Sequence, residues 1–227
     1  MSASDGPAWT VERSTGSALD FHARPVPAGA GRLVWPLTVD RPALVLGSTQ
    51  DAAVVDRRAT DAAGVEVVRR RSGGGAVLLD PDRSVWVDVV LPAGDPLWEQ
   101  DVGRAFLWLG QAWARALTRL GLAADVHSGA LRSSRWSGLV CFAGLGPGEA
   151  SVSGRKAVGL SQHRTRSQAR FQCVVHRRWE PDRLLGLLAL ESADRVAAAA
   201  ALSGSVAEVV RPAEAIEAAL VTALSQA

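Results

Sequence analysis

One primary amine stands out in this chain of 227 residues: of its 25 lysines and arginines, only Lys156 is a lysine. Drift in base composition explains why lysines are scarce, but not why one is kept. Arginine replaces lysine where only a surface charge is wanted, but not where a compact ammonium must sit at a defined point. Lys156 is therefore a candidate for chemistry, a point charge set between Gly154 and Gly159 that can reach across a cleft. A second candidate lies upstream, where Arg69-Arg70-Arg71-Ser72-Gly73-Gly74-Gly75 separates two apolar strand-like runs. A hairpin needs one or two glycines. Three suggest that a ligand approaches the backbone closely, and N–H groups beside arginines suit a phosphate or carboxylate. The alternative is a flexible hairpin with a solvated basic run.

Several other chemistries find no support. Gly73-Gly74-Gly75 is not a dinucleotide fingerprint, and no helix signal follows it. No phosphate-binding G-x-x-x-x-G-K-[ST] loop and no G-x-S-x-G elbow occur. Ser153-Gly154-Arg155-Lys156 matches S-x-x-K, but the companion K-T-G of that serine-acyl class needs a second lysine. Cys173 and His176, three apart on a predicted strand, point to opposite faces and make a poor metal pair, and His22, His127 and His163 add no ligand spacing. No metal site is expected. Two cysteines give no disulfide framework, and neither a secretory leader nor an 18-residue apolar run is present, so a reducing cytoplasm and no membrane span are expected. A net charge of +2, and a loop with Arg164, Arg166 and Arg170 but no interleaved aromatics, argue against nucleic acid.

The elements that must position these groups follow from periodicity. Residues 1–15 pattern weakly and are expected to fray. Gly29-Ala30-Gly31 reads as a loop, Ala43 to Leu46 as a strand, and Ala52 to Ala63 as a helix closed by Gly64. Strands follow at Val65–Val68, Ala76–Leu79 and Val85–Val90. Asp95 and Pro96 predict a helix start, and Val102, Phe106, Leu109, Trp113, Leu117 and Leu120 one buried stripe over about six turns, closed by Gly121. Val140-Cys141-Phe142 reads as a short strand, and Ser151–Leu160 and Ala169–Val175 as strands joined by a polar Ser161–Ser167 loop. Helices are predicted over Asp182–Leu190, Asp194–Leu202 and Pro212–Leu224. Strands and helices mix without strict alternation and no linker interrupts them, so residues 1–227 are expected to form one α+β domain.

The motifs carry a family resemblance. Val68 to Val77, VRRRSGGGAV, resembles the R-R-x-S-G-G-G-A-V signature of lipoate–protein ligases. Gly154-Arg155-Lys156 with Gly159-Leu160-Ser161 resembles that family's G-R-K-x-x-G-S segment, and Leu44 to Gln50 its preceding strand and turn. The matches fall in family order over residues 44 to about 175. The resemblance is to the biotin/lipoate ligase and octanoyltransferase superfamily; biotin ligases usually show a different arginine-glycine signature. It implies a mixed sheet with a smaller second sheet and flanking helices. It also implies a ligase that joins a lipoyl or octanoyl carboxylate to the α-phosphate of ATP with magnesium and passes the acyl group to an acceptor lysine. The acceptor would be the lipoyl domain of a 2-oxoacid dehydrogenase or a glycine cleavage protein. Arg70, Ser72, Gly73, Gly74, Gly75, Ala76, Gly159 and Ser161 would line the acyl and adenylate pocket, with Lys156 on the acyl carbonyl and phosphate.

Four departures qualify that picture. The family's His-Asp after the glycine strand is Leu79-Asp80, its Gly-Asn is Asp82-Arg83, and a histidine after the lysine is matched by Cys173. No accessory C-terminal domain is expected within the chain, so a separate accessory protein would be needed for ATP activation. The second implied reading uses no ATP. Cys141-Phe142-Ala143 resembles the cysteine segment of octanoyltransferases that take octanoate from acyl carrier protein through a thioester, with Cys141 as nucleophile. A nearby ammonium favours the attacking thiolate. A third reading is a binder of acyl groups or adenylates that has lost turnover.

Overall fold

The computed structural model describes residues 8–227. Its central feature is a six-stranded mixed sheet of β1 (Thr10–Val11), β2 (Ser14–Gly16), β3 (Leu33–Val39), β7 (Ser84–Pro92), β11 (Val158–Arg164) and β12 (Gln168–His176). The order is β1-β3-β7-β12-β11, with β2 also on β3. The β3-β7-β12-β11 ladder is antiparallel, and β1 and β2 run parallel to β3. Two three-stranded sheets flank it. One is β4 (Ala43–Leu46) between β5 (Glu66–Arg69) and β6 (Val77–Leu79); the other is β9 (Ala150–Val152) between β8 (Ala124–Val126) and β10 (Arg155–Lys156). The helices are α1 (Ala18–Ala23), α2 (Arg57–Ala62), α3 (Ala105–Arg119), α4 (Pro181–Leu185), α5 (Ser192–Leu202) and α6 (Ala213–Leu224). This is the expected α+β mixed-sheet architecture.

Strand alternation sorts the large sheet into two faces. Val85, Val87, Val89 and Leu91 of β7, with Ala169, Phe171, Cys173 and Val175 of β12, pack with α3 and α6 through Leu109, Trp113, Ile216 and Leu220. The residues between them face the other way, where Trp86 and Val90 join Trp35, Val45, Val77, Leu79 and Phe142. Asp88, Arg170, Gln172 and His176 share that second face and are buried there. An antiparallel sheet usually leaves one face wet; here both are covered, and the second carries buried polar groups.

Several boundaries differ from the sequence reading. Residues 1–7 lie outside the described residues, while 8–15 do not fray: Thr10–Val11 and part of β2 are held by β3. The 52–63 segment is a 3-10 turn, Ala52–Val54, then α2, because the Asp56 carboxylate accepts from Ala59 N and restarts the helix. Asp95 caps no helix. Its carboxylate takes two hydrogen bonds of 2.8 Å from Arg32, and α3 starts only at Ala105 and runs 15 residues, leaving Val102 exposed. The same carboxylate also accepts from Leu97 N (2.9 Å), a cap-type bond that here closes only a turn. Cys141–Ala143 is a 3-10 turn, not a strand. The run after Ser151 breaks at Ser153-Gly154, both at positive φ (51° and 74°), the two-residue turn that joins β9 to β10. The supposed 161–167 loop is strand as far as Arg164. The first C-terminal helix stops at Leu185.

Candidate acyl-transfer site

Lys156 is placed by the tight hairpin between β9 and β10. Its residue pairs with Ser151 across the turn, and its backbone is clamped from the other side by Ser205 O (3.0 Å) and Ala207 N (2.9 Å). That register lays the side chain beside Glu149, which lies just before β9. The amine is 4 % exposed and meets the Glu149 carboxylate at 2.7 Å. It donates to Cys141 O (3.0 Å) and Gly144 O (3.2 Å), and lies 3.8 Å from Cys141 Sγ and 4.9 Å from the centre of the Phe142 ring. An ammonium has three donors, and three oxygens occupy them. Burial by itself would lower the lysine pKa, but the negative charge available on Cys141 and Glu149 outweighs it, and the pKa is raised. Glu149 also accepts from Gly146 N (2.7 Å) and Leu160 N (3.0 Å), so it fixes the amine against two backbone segments.

The glycine run is built from within. Arg70, 5 % exposed, folds under it and donates to Gly73 O (2.7 Å), Gly75 O (2.9 Å) and Val45 O (3.4 Å). Burial lowers the Arg70 pKa, and Cys141 acts against that. Gly74 has φ +98°, and a Cβ on Gly75 would stand 2.6 Å from the backbone of Val140. Two of the three glycines therefore serve the chain's own close approach, not a ligand's; only Gly73 has open space at its Cβ position. The approach has a purpose, because Ala76 and the 139–141 segment exchange backbone hydrogen bonds that carry Cys141 into place (Ala76 N to Leu139 O, 2.8 Å; Cys141 N to Ala76 O, 3.0 Å). Gly75→Ala is expected to destabilise the fold by about 1–3 kcal/mol, as overpacking does. Gly73→Ala should be close to neutral, and the two denaturation midpoints measured side by side check this.

A cleft of about 390 Å³ lies between the second face of the large sheet and the β4–β6 sheet. Its walls are mainly apolar, with Val45, Val77, Leu79, Trp86, Leu160 and Val174. Arg70, Cys141, Gly159 and Ser161 also line it. Lys156 and Ser72 to Ala76 are not among its lining residues. Lys156 stands behind Cys141, and Ser72 touches the cleft only through a 3.0 Å hydrogen bond to Ser161 Oγ. Arg170 is not a solvated loop residue: it is buried and bound to Asp88 through Nε (2.6 Å) and Nη2. Cys173 faces the helices, and burial raises its thiol pKa.

Three participants escaped the sequence reading. Glu149 is a lone acid with no motif around it. His22 and Gln172 line the cleft from α1 and β12, and Gln172 Nε2 donates to His22 Nδ1 at 3.1 Å. Only the alternation of β12, once its register is known, would have pointed to Gln172.

Two buried histidines make stability depend on pH. Burial, then Arg170 and Arg70, lower His22 to about 3, and burial, then Lys156, lower His176 to about 3 against an opposing pull from Asp80. Below the unfolded value of about 6.5 the unfolded chain binds protons that the folded rings refuse. Stability is therefore full above pH 6.5 and falls as pH drops from there toward 3. The slope should reach about 1.4 kcal/mol per pH unit for each ring. Urea midpoints at pH 7, 6 and 5 should fall in order, and His176→Gln should flatten the trend.

The second-face cleft, the glycine run and the lysine hairpin belong to a known type of catalytic domain. Residues 24–220 match the lipoyl protein ligase A/B catalytic domain, and the chain belongs to that family. Among relatives, it is 32 % identical over 164 residues to octanoyltransferase LipM of Kyrpidia tusciae, an alignment covering 69 % of this chain and 58 % of that protein. In fold it resembles a bi-partite lipoate protein ligase from Thermoplasma acidophilum, described with its E2 lipoyl domain (TM-score 0.77, 19 % identity, 97 % of this chain and 83 % of that one). It also resembles lipoate-protein ligase A bound with ATP (TM-score 0.72, 18 % identity, 97 % and 85 %). No helix among the described residues is long and apolar enough to cross a membrane.

Proposed function

We propose that this chain takes an octanoyl-type acyl group from a carrier thioester onto Cys141 and passes it to a lysine of a lipoyl acceptor domain. One observation carries this reading: Cys141 lines the apolar cleft with its sulfur 3.8 Å from the buried Lys156 ammonium. An amine fixed by three oxygens is a standing positive charge for a thiolate, preorganised before any substrate arrives. In the first step the Cys141 thiolate adds to the donor carbonyl. The bond from that carbonyl to the carrier sulfur breaks, and the carrier leaves as a thiol, with the proton Cys141 gave up. In the second step the acceptor amine attacks acyl-Cys141. The amide forms, and the thiol returns with a proton from the amine. The apolar walls suit an alkyl chain.

The acyl-adenylate route remains a second reading, supported by the Ser72-Gly73-Gly74-Gly75 sequence. It fits less well. The donors of Lys156 are taken by Cys141 O, Gly144 O and Glu149, so that cation is not free for a phosphate in this arrangement. Intact mass after incubation with octanoyl-carrier protein separates the routes. The thioester reading requires an octanoyl adduct without ATP. Pyrophosphate exchange dependent on octanoate or lipoate, with no adduct, would replace it with the adenylate reading. Binding with neither signal would leave a carrier that does not turn over.

A further inference from the structure

Beyond the apolar cleft lies a second opening of about 690 Å³, and His22 and Gln172 belong to the walls of both. Its other walls include Arg24, Arg71, His163 and Arg170, and no aspartate or glutamate lines it among the described residues. Arg24 is paired with Glu12 (2.6 Å) and Arg170 with Asp88, which leaves exposed Arg71 with no ion pair among the described residues. The positive charge is felt by its neighbours: burial and then Arg71 and Arg170 lower the His163 pKa.

His22 sits where the two spaces join, and its protonation follows from its partners. An amide nitrogen can only donate, so the Gln172 bond makes His22 Nδ1 an acceptor and puts the ring proton on Nε2. Nε2 is buried and has no hydrogen-bond partner among the described residues. A buried donor left unpaired costs about 1–3 kcal/mol, a cost that a bound polar group would remove. The ring is held from below by Trp86, with centroids 4.8 Å apart, and Trp86 Nε1 donates in turn to Asp88 (2.6 Å). The donor is thus rigidly presented, and it is neutral.

Burying an anion among the cleft's mainly apolar walls is costly, and the basic chamber that shares His22 and Gln172 with it offers an anion a polar way out. We propose that the basic chamber receives the anionic arm of the acyl donor, a phosphate ester linked to the acyl chain through a thioester. Arg71 meets the phosphate, and His22 Nε2–H meets a neutral polar atom of the same arm. The proposal rests on the thioester reading above and adds a donor subsite to it.

The test follows Cys141 acylation by intact mass in single-turnover experiments with three donors: octanoyl-carrier protein, octanoyl-coenzyme A and octanoyl-N-acetylcysteamine, which has no phosphate. Arg71→Ala should slow acylation by a phosphate-bearing donor about tenfold relative to the neutral donor, as loss of one charge-assisted contact does. Arg71→Lys should restore most of it. Selective loss with the carrier protein alone names the carrier-bound arm as the ligand, and loss with both names the phosphate ester wherever it comes from; either supports the proposal. Equal rates for all donors in Arg71→Ala, or a defect confined to the later transfer to the acceptor, would overturn it while leaving Cys141 chemistry intact. No adduct on the unaltered protein with any donor would remove the thioester reading itself. Arg71 is exposed, so these variants should fold.

Discussion

Lys156→Met is expected to lower acyl transfer by about 10²–10³-fold, the range seen when one preorganised charge-stabilising donor is removed from an active site. The substitution strips the cation from beside Cys141 Sγ and also leaves Glu149 buried without its partner. Breaking a buried pair on one side costs about 3–5 kcal/mol, so a dead variant could merely be an unfolded one. The backbone donors of Gly146 and Leu160 still reach Glu149 and lessen that cost. The decisive protein is therefore Lys156→Met combined with Glu149→Gln. It removes both charges, should recover most of the denaturation midpoint, and should remain as inactive as the single variant. Lys156→Arg should also fail, because a planar fork cannot meet Cys141 O, Gly144 O and Glu149 from one point. A double variant that folds and transfers acyl groups at the original rate would show that the amine has only a structural role.

Cys141→Ser should abolish the octanoyl adduct and lower transfer by at least about 10³-fold, the scale on which loss of a covalent nucleophile is felt. The fold should tolerate it. The neighbours that hold residue 141 are its own N–H on Ala76 O and its carbonyl under Lys156, and both survive the change. Cys173→Ala is the matched control. That thiol sits on the opposite face of the sheet, buried against α3, so the adduct should persist. Adduct formation and transfer at unchanged rates in Cys141→Ser would remove Cys141 from the chemistry and return attention to the adenylate route.

Much of the scaffold is legible in the chain because it rests on local physics. Alternation over Val85–Val90 marks β7, spacing of three and four over Phe106–Leu117 marks α3, and Gly64 and Gly121 close helices at positive φ, 62° and 85°. Some misread boundaries rest on local turns and caps, as at Asp56 and Ser153-Gly154, and others on partners far along the chain. Asp95 followed by Pro96 is a sound helix start, and its carboxylate does accept from Leu97 N (2.9 Å), but it is shared with Arg32, 63 positions away, and only a turn forms there. The three glycines are conspicuous in the sequence, but the sequence does not say that Val140 would be the backbone pressing on Gly75.

The chain by itself determined that one amine was kept where every other basic residue is arginine, and that it follows a glycine turn in a known motif order. Those facts belong to residue type and spacing, which survive without a fold. Tertiary structure decided what the amine faces. Glu149 and Cys141 reach Lys156 because a two-residue turn sets the β9–β10 register and because Gly75 lets the 139–141 segment lie against the glycine run. His22 and Gln172, 150 positions apart, meet only because β12 turns alternate residues toward the cleft. Such meetings depend on register and on which face of a sheet is covered. A shift of one residue in β10 or β12 would send Lys156 or Gln172 to the opposite face.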